Sequence, residues 1–250
     1  MTIIDRPVRM PRPAFFVAWE YTGLTTLPTV VSPDDTYATA EFAAERERRA
    51  MARFAKLGLA TPDGRLTAQF RATLELLAAP ARECYSWTAF TGRPEDDGAF
   101  FVAASGGDAV RLITDHRSIQ LDPIRPRSLA TALVEALPEY PPARMAQLRV
   151  PTVYLEDTGA DPLSEMSGRA DDLRHLMRAE RTAVHKLHTA KNAGAERVHS
   201  TPLTVYDLTR NGRVLAFTSD TGNGGLEATV CSGNRTNLID ALNLTLDGLG

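Results

Sequence analysis

Asp-Thr-Gly occurs twice in this chain, in YLEDTGADP at 154–162 and in LAFTSDTGNGG at 215–225, each time after a run that reads as a strand. The triplet is the signature of aspartic proteases. Their chemistry needs two such aspartates facing each other, so that like charges share one proton and split their pKa values. That requires equivalent positions in two related halves. Whether Asp157 and Asp220 are equivalent depends on the elements that carry them.

Other residue types could also do chemistry. His185 and His188 stand three apart in HKLH. On a helix they would share a face and could hold a metal with a third ligand; on a strand they would point to opposite sides. The run RTAVHKLHTA reads as a strand or a helix end, and both readings stand. No acidic residue has the usual helical spacing, so structural or surface histidines are favoured, and His175 and His199 add no ligand geometry. GNGG and GGD suggest a phosphate cradle, but a cradle opens a helix and both of these run into strands, as hairpin turns do. Glu95, Asp96 and Asp97 read as a solvated loop rather than a metal site. The sequence holds no Gly-x-Ser-x-Gly elbow, Walker motif or dinucleotide fingerprint.

The composition fits an ordinary soluble protein, with 43% hydrophobic and 24% charged residues among 250. The net charge of -3 lacks the basic excess that nucleic-acid binding leaves. Cys84 and Cys231 lie far apart in probable strands and read as buried free thiols, which fits a reducing compartment. The N-terminus has no signal-peptide core, and no segment approaches about 18 uninterrupted apolar residues. The expected setting is cytoplasmic, without membrane insertion.

AFFVAWE at 14–20 reads as an opening strand. Residues 36–57 form a charged helix with Phe42, Met51, Phe54 and Leu57, and 66–78 a second with Leu66, Phe70, Leu74 and Leu77 at helical spacing. ARECYSWTAF, AFFVAAS, AVRLIT and SIQLDPI are strands with short turns between them, an antiparallel meander. A helix carrying Leu129, Leu133, Val134 and Leu137 follows, and the prolines at 138, 141 and 142 mark a boundary. The plan then repeats. LRVPTVYLE is a strand and SEMSGRADDLRHLMRAE a helix, then PLTVYDLT, RVLAFTS and LEATVCS form a meander, and a last helix carries Leu238, Leu242 and Leu246. The expected fold class is α+β, pseudo-duplicated, with a central antiparallel sheet flanked by helices. Its halves are 1–145 and 146–250, within one compact domain.

The repeat answers the protease question. Asp220 lies between the second and third strands of the later meander, where the first half has DHR, whereas Asp157 follows the strand that opens the second half. The two are not equivalent, and they stand too close in sequence for two protease lobes. Turn chemistry accounts for Asp and Gly at both places.

Several spaced stretches resemble the EspG family associated with ESX (type VII) secretion in actinobacteria. They are GLTTLP at 23–28, KLGLATPDGRLTAQFRATLELLAAPAR at 56–82, NGRVLAF at 211–217 and, most strongly, FFVAASGGDAVRLITDHRSIQLDPIRPRSLATALVEALPEYPPAR at 100–144. The tail LEATVCSGNRTNL departs from the family's Trp-x-Thr-Val pattern. The resemblance implies a mixed fold with a pseudo-two-fold axis. It implies a cytosolic chaperone without catalysis or cofactor, binding the helical tip of the PPE subunit of a PE–PPE pair or a similar helical substrate. Helix-in-groove recognition of that kind places partner contacts, by position, on three segments. These are the loop with Arg93, Glu95, Asp96 and Asp97, the strands with Val205, Arg213, Leu215 and Phe217, and the last helix with Leu238 and Leu242. Half of each strand's side chains must face the core, so packing is the competing role for the strand and helix residues. Two other readings stand beside the chaperone. One is a small-molecule-binding or metal-using α+β enzyme drawing on His185, His188 and the carboxylates at 157–161. The other is a scaffold that forms a homodimer through a sheet edge or the last helix.

Overall fold

The computed structural model describes residues 2–33, 39–156, 164–193 and 196–249. The first half runs β1 (Val8–Pro11), α1 (Arg12–Thr22), α2 (Ala40–Leu57), α3 (Ala68–Ala78), β2 (Arg82–Phe90), β3 (Gly98–Ser105), β4 (Asp108–Asp115), β5 (Ser118–Ile124) and α4 (Leu129–Ala136). The second runs β6 (Leu148–Pro151), α5 (Val153–Glu156), α6 (Glu165–Arg178), β7 (Arg181–Ala193), β8 (Glu196–His199), β9 (Leu203–Leu208), β10 (Gly212–Asp220), β11 (Leu226–Ser232) and α7 (Arg235–Asp247).

The eleven strands of the described residues join one sheet in the order β1-β5-β4-β3-β2-β7-β9-β10-β11-β6, with β8 added to β7. Every strand pair is antiparallel. The order is a palindrome about the seam between β2 and β7, which pair from Arg82↔Lys191 to Phe90↔Ala183. Each seam strand begins a meander and each meander ends in a helix, so the fold is a pseudo-duplicated α+β arrangement. Among the described residues no helix is long and apolar enough to cross a membrane.

Strand alternation divides the apolar residues between the two faces. On β3, Phe101 and Ala103 join the core under α1, α2 and α3, while Val102 and Ala104 join the core under α4 and α7. A third core, with Leu173 of α6 against Val150, Val214 and Val230, lies on the same face as the first. We call that face the front, and the face under α4 and α7 the back. Phe15, Phe54, Phe70 and Phe101 are at most 1% exposed. At about 1.5–3 kcal/mol for each fully buried ring, they anchor the first half.

The helices carry their boundary signals in the sequence. The side chains of Thr39, Thr67, Ser164 and Asn234 accept from the N–H groups of Phe42, Phe70, Ser167 and Asn237, capping α2, α3, α6 and α7. Gly23 and Gly58 end α1 and α2 in the left-handed conformation.

Two local expectations are corrected, one unexpected strand is added and one open reading is settled. Residues 14–20 lie in α1, not a strand; Pro13 sits in its first turn, and Ala14 through Trp19 are all buried, as in a helix packed on several sides. β1, which the sequence did not suggest, precedes it as a four-residue edge strand. The strand expected over 148–156 ends at Pro151; the Thr152 N–H makes one last bond to the Leu226 carbonyl, where β11 begins, and Val153–Glu156 turns into a short helix. The ambiguous run at 181–190 is strand, the long β7.

Of the two Asp-Thr-Gly triplets, Asp157–Gly159 lies outside the described residues. Asp220–Gly222 forms the β10–β11 hairpin turn, where the Thr221 N–H donates to the Gly225 carbonyl at 2.9 Å. The Asp220 carboxylate accepts from the Gly222 N–H at 2.7 Å. The triplet there builds a turn.

Candidate partner-binding cleft

Between the front-face helices of the two halves, the seam strands are incompletely covered. Tyr85 and Trp87 on β2 and Val184, Lys186 and His188 on β7 point to this side. Trp87 is 39% exposed, a large aromatic left open near the middle of an eleven-stranded sheet. Its ring is not loose. Tyr85 stacks on His188 at 5.0 Å with 7° between planes, and Trp87 packs edge-on against both at 5.2 and 5.5 Å. Burial pushes the His188 imidazole down, which keeps it a neutral stacking partner. Behind the trio, Arg197 of β8 lies over the Tyr85 ring at 5.6 Å and donates to buried Glu83 at 2.9 Å. Burial pushes the Glu83 carboxyl up against the opposing pull of Arg197.

Trp87 opens into a cavity of about 440 Å³ whose wall includes Arg12, Val184, Lys186, Asp97 and His116. The β2–β3 loop reaches the cavity at Asp97. A 3-10 turn at Pro94–Asp96 shapes that loop, and three contacts fix it. The Asp97 carboxylate accepts from the Phe90 N–H at 2.8 Å, the Arg93 guanidinium sits 5.4 Å over the Phe90 ring, and His116 Nε2 meets the Pro94 carbonyl at 3.0 Å. Arg93 also pairs with Asp96 at 3.3 Å. Arg93, Glu95 and Asp96 are exposed and Asp97 half-buried, so the loop residues named from the sequence do stand at a surface.

The strand and helix residues named with them stand elsewhere. Val205, Leu215, Leu238 and Leu242 are 0–2% exposed in the back-face core, where α7 packs over β7 and shares an apolar cluster with β9 and β10. Phe217 is half-buried and lines a separate groove of about 460 Å³ beside α7, near Leu244, which is 74% exposed. Arg213 is 5% exposed and serves a buried ion cluster. Its Nε and Nη2 donate to the two Asp207 oxygens at 2.6 and 2.8 Å, and Nη2 also donates to the Pro138 carbonyl at 2.8 Å. Competition between core and surface on these elements goes to the core, because α4 and α7 together cover the back of the sheet.

The same cluster contains a hydroxyl, an imidazole and a carboxylate in the order of a hydrolytic triad. Thr88 Oγ1 lies 2.8 Å from His185 Nδ1, and His185 Nε2 donates to Asp207 Oδ2 at 3.1 Å. All three residues are at most 4% exposed, and Arg213 already neutralises the carboxylate. A nucleophile needs a substrate beside it; this one is packed under helices and holds the core. Burial alone would raise the Asp207 carboxyl, but the hydrogen bonds and charges of Arg213 and His185 outweigh it and hold it below the usual carboxylate range.

His185 faces the back of β7 and His188 the front, so the two do not form a joint ligand pair. Among the described residues no three His, Cys, Asp or Glu side chains gather as a metal site. Burial pushes the Cys84 thiol up to about 12, which leaves it protonated and inert. Sequence reasoning missed Trp87, Val184 and Lys186. The alternation in CYSWTAF places Tyr85 and Trp87 on one face, but which stretch of that face stays uncovered depends on where distant helices land.

With this geometry in view, the family model described as the EspG family matches residues 11–243, nearly the whole chain. The chain belongs to the EspG family. Among solved structures it is similar to the Mycobacterium tuberculosis type VII secretion system chaperone EspG5, determined in complex with a PE25-PPE41 dimer. The two share 16% identity at a TM-score of 0.71, over 98% of this chain and 97% of that one. At that identity the likeness is one of fold. No curated protein gives a significant match. The span matched by the EspG-family model includes the seam, the Trp87 cleft and the β2–β3 loop.

Proposed function

We propose that this chain is a cytosolic chaperone of type VII secretion that binds the helical tip of the PPE subunit of a PE–PPE pair. It has no catalytic step and keeps an apolar patch of its client out of water before export. The observation that carries this reading is the open Trp87, rigidly held in a cleft bordered by a fixed polar loop. That is the anatomy of an anchor with a polar rim. Family membership, and the complex recorded for the structurally similar EspG5, support the choice of client. Arg93, Glu95 and Asp96 fit the rim, and Phe217 with the groove beside α7 is a second contact candidate. The halves 1–145 and 146–250 act as one pseudo-two-fold unit, since the cleft lies across their seam.

Co-expression with a PE–PPE pair from the same organism, followed by size-exclusion chromatography and calorimetry, tests the proposal. A stoichiometric complex is expected. Trp87→Ala is expected to weaken it by about 2 kcal/mol, roughly thirtyfold, with little change in folding, because the side chain is already partly in water. Affinity unchanged in Trp87→Ala would move the site elsewhere, and no complex with any PE–PPE pair would end the chaperone reading.

A further inference from the structure

We infer that His116 is the positioning residue of the partner cleft, the side chain that sets the β2–β3 loop as the wall beside Trp87. The inference rests on the reading above and names the device that shapes the same site. Its basis is a contact between consecutive hairpins. His116 stands on the β4–β5 turn, and its Nε2–H donates to the Pro94 carbonyl at 3.0 Å, across the gap to the β2–β3 loop. Both His116 and Asp97 line the cavity into which Trp87 opens.

The turn that carries His116 is itself anchored. The Asp115 carboxylate accepts from the N–H groups of Arg117 and Ser118 at 2.7 and 2.6 Å. The Arg12 N–H at the start of α1 donates to the Arg117 carbonyl at 3.0 Å, and its guanidinium donates to Thr114 Oγ1 at 2.8 Å. His116 therefore projects from a fixed base. The loop has a fixed stem as well, through Asp97 and Phe90, but its 3-10 turn holds to the neighbouring hairpin through Pro94. Without that bond the turn keeps its contact with Phe90 through the Arg93 guanidinium, but its Pro94 end is free to shift relative to the neighbouring hairpin. His116 is solvent-exposed, so the bond contributes little to global stability. It restricts the loop before a partner arrives, and pre-organisation of that kind appears in affinity.

The test uses His116→Leu, which removes the donor, and His116→Gln, whose side-chain amide can replace it. Three readouts separate positioning from folding. They are the melting temperature, acrylamide quenching of tryptophan fluorescence, and calorimetric binding of the co-expressed PE–PPE pair. Trp19 is 4% exposed, so quenching reports Trp87. The leucine variant is expected to melt with the wild type, to quench about twofold faster, and to bind about fivefold more weakly, the fold-change of one net hydrogen bond. The glutamine variant is expected to restore both. Wild-type quenching and wild-type affinity in His116→Leu overturn the inference, as does a glutamine variant no better than leucine. A wild-type chain that binds no PE–PPE pair sinks the functional reading instead, and quenching alone then decides whether His116 holds the loop.

Discussion

Replacing Arg213 by leucine is expected to lower the unfolding free energy by about 3–5 kcal/mol at pH 7, measured by urea denaturation. The size follows from what is left behind. Arg213 covers both oxygens of Asp207, a residue 1% exposed, and caps the Pro138 carbonyl. Its backbone N–H also donates to the Pro141 carbonyl, and its own carbonyl accepts from the Ala143 and Gly233 N–H groups. Leucine keeps the backbone bonds and some apolar contact but leaves the carboxylate with His185 alone. Replacing Asp207 by leucine in the same chain is expected to recover part of the loss, because an uncompensated buried charge costs more than an absent pair. A loss below about 1 kcal/mol for Arg213→Leu would mean that water reaches the cluster.

The cluster also fixes a pH dependence. The Asp207 carboxyl titrates lower in the folded chain than in the unfolded one, where it sits near 3.9. Its contribution is therefore complete above that unfolded value and is lost as pH falls through the folded one. The gap in stability between wild type and Asp207→Asn is expected to be constant from pH 7 to about 5 and to narrow below pH 4. A gap that widened on acidification would contradict the charged pair.

Gly212→Ala is expected to cost about 3 kcal/mol, again by denaturation. Two penalties coincide at this residue. Its φ is +83, where a side chain costs about 1–2 kcal/mol. A Cβ there would also lie 2.7 Å from the Pro141 carbonyl oxygen and 3.0 Å from the Ala143 nitrogen, both backbone atoms of the segment that crosses between the halves. Backbone cannot turn aside as a flexible side chain can, so an overpacking penalty adds to the first. Gly222 provides the control, since its φ of +79 is similar and nothing lies within 4 Å of its Cβ position. Gly222→Ala is expected to lose only the conformational part, and equal losses at the two positions would show that close approach is not the cause.

How much of this was legible in the sequence depended on the range of the interactions. The hairpins of the two meanders and the helices that close them rest on local alternation and hairpin turns and were legible, whereas the run 181–190, which became β7, suited strand and helix end alike. The α1 segment failed because FFVA is apolar without a period, and such a run suits a buried strand and a buried helix alike. Pro13 and Gly23 held the better signal. β1 was invisible because its reason lies far away, in a ladder with Leu121, Gln120, Ile119 and Ser118 of β5. The exposed loop residues were found by loop composition. Arg213 misled because a lone arginine in a hairpin normally faces water, and its partners Asp207, His185 and Pro138 cannot be paired with it by spacing. Trp87 was read only as a strand residue, because exposure is decided by elements that leave it uncovered.

The seam has a consequence for how the chain is made. β2 leaves the ribosome about a hundred residues before β7, which at ordinary rates of synthesis is roughly 5–20 s. During that interval β3, β4 and β5 can close the first meander, while the other side of β2, with its row of unpaired N–H and C=O groups, awaits a strand not yet translated. An open strand edge beside Cys84, Tyr85 and Trp87 is an aggregation template. The most vulnerable moment in the life of this chain therefore falls in its own biogenesis, before the second half arrives to close the sheet.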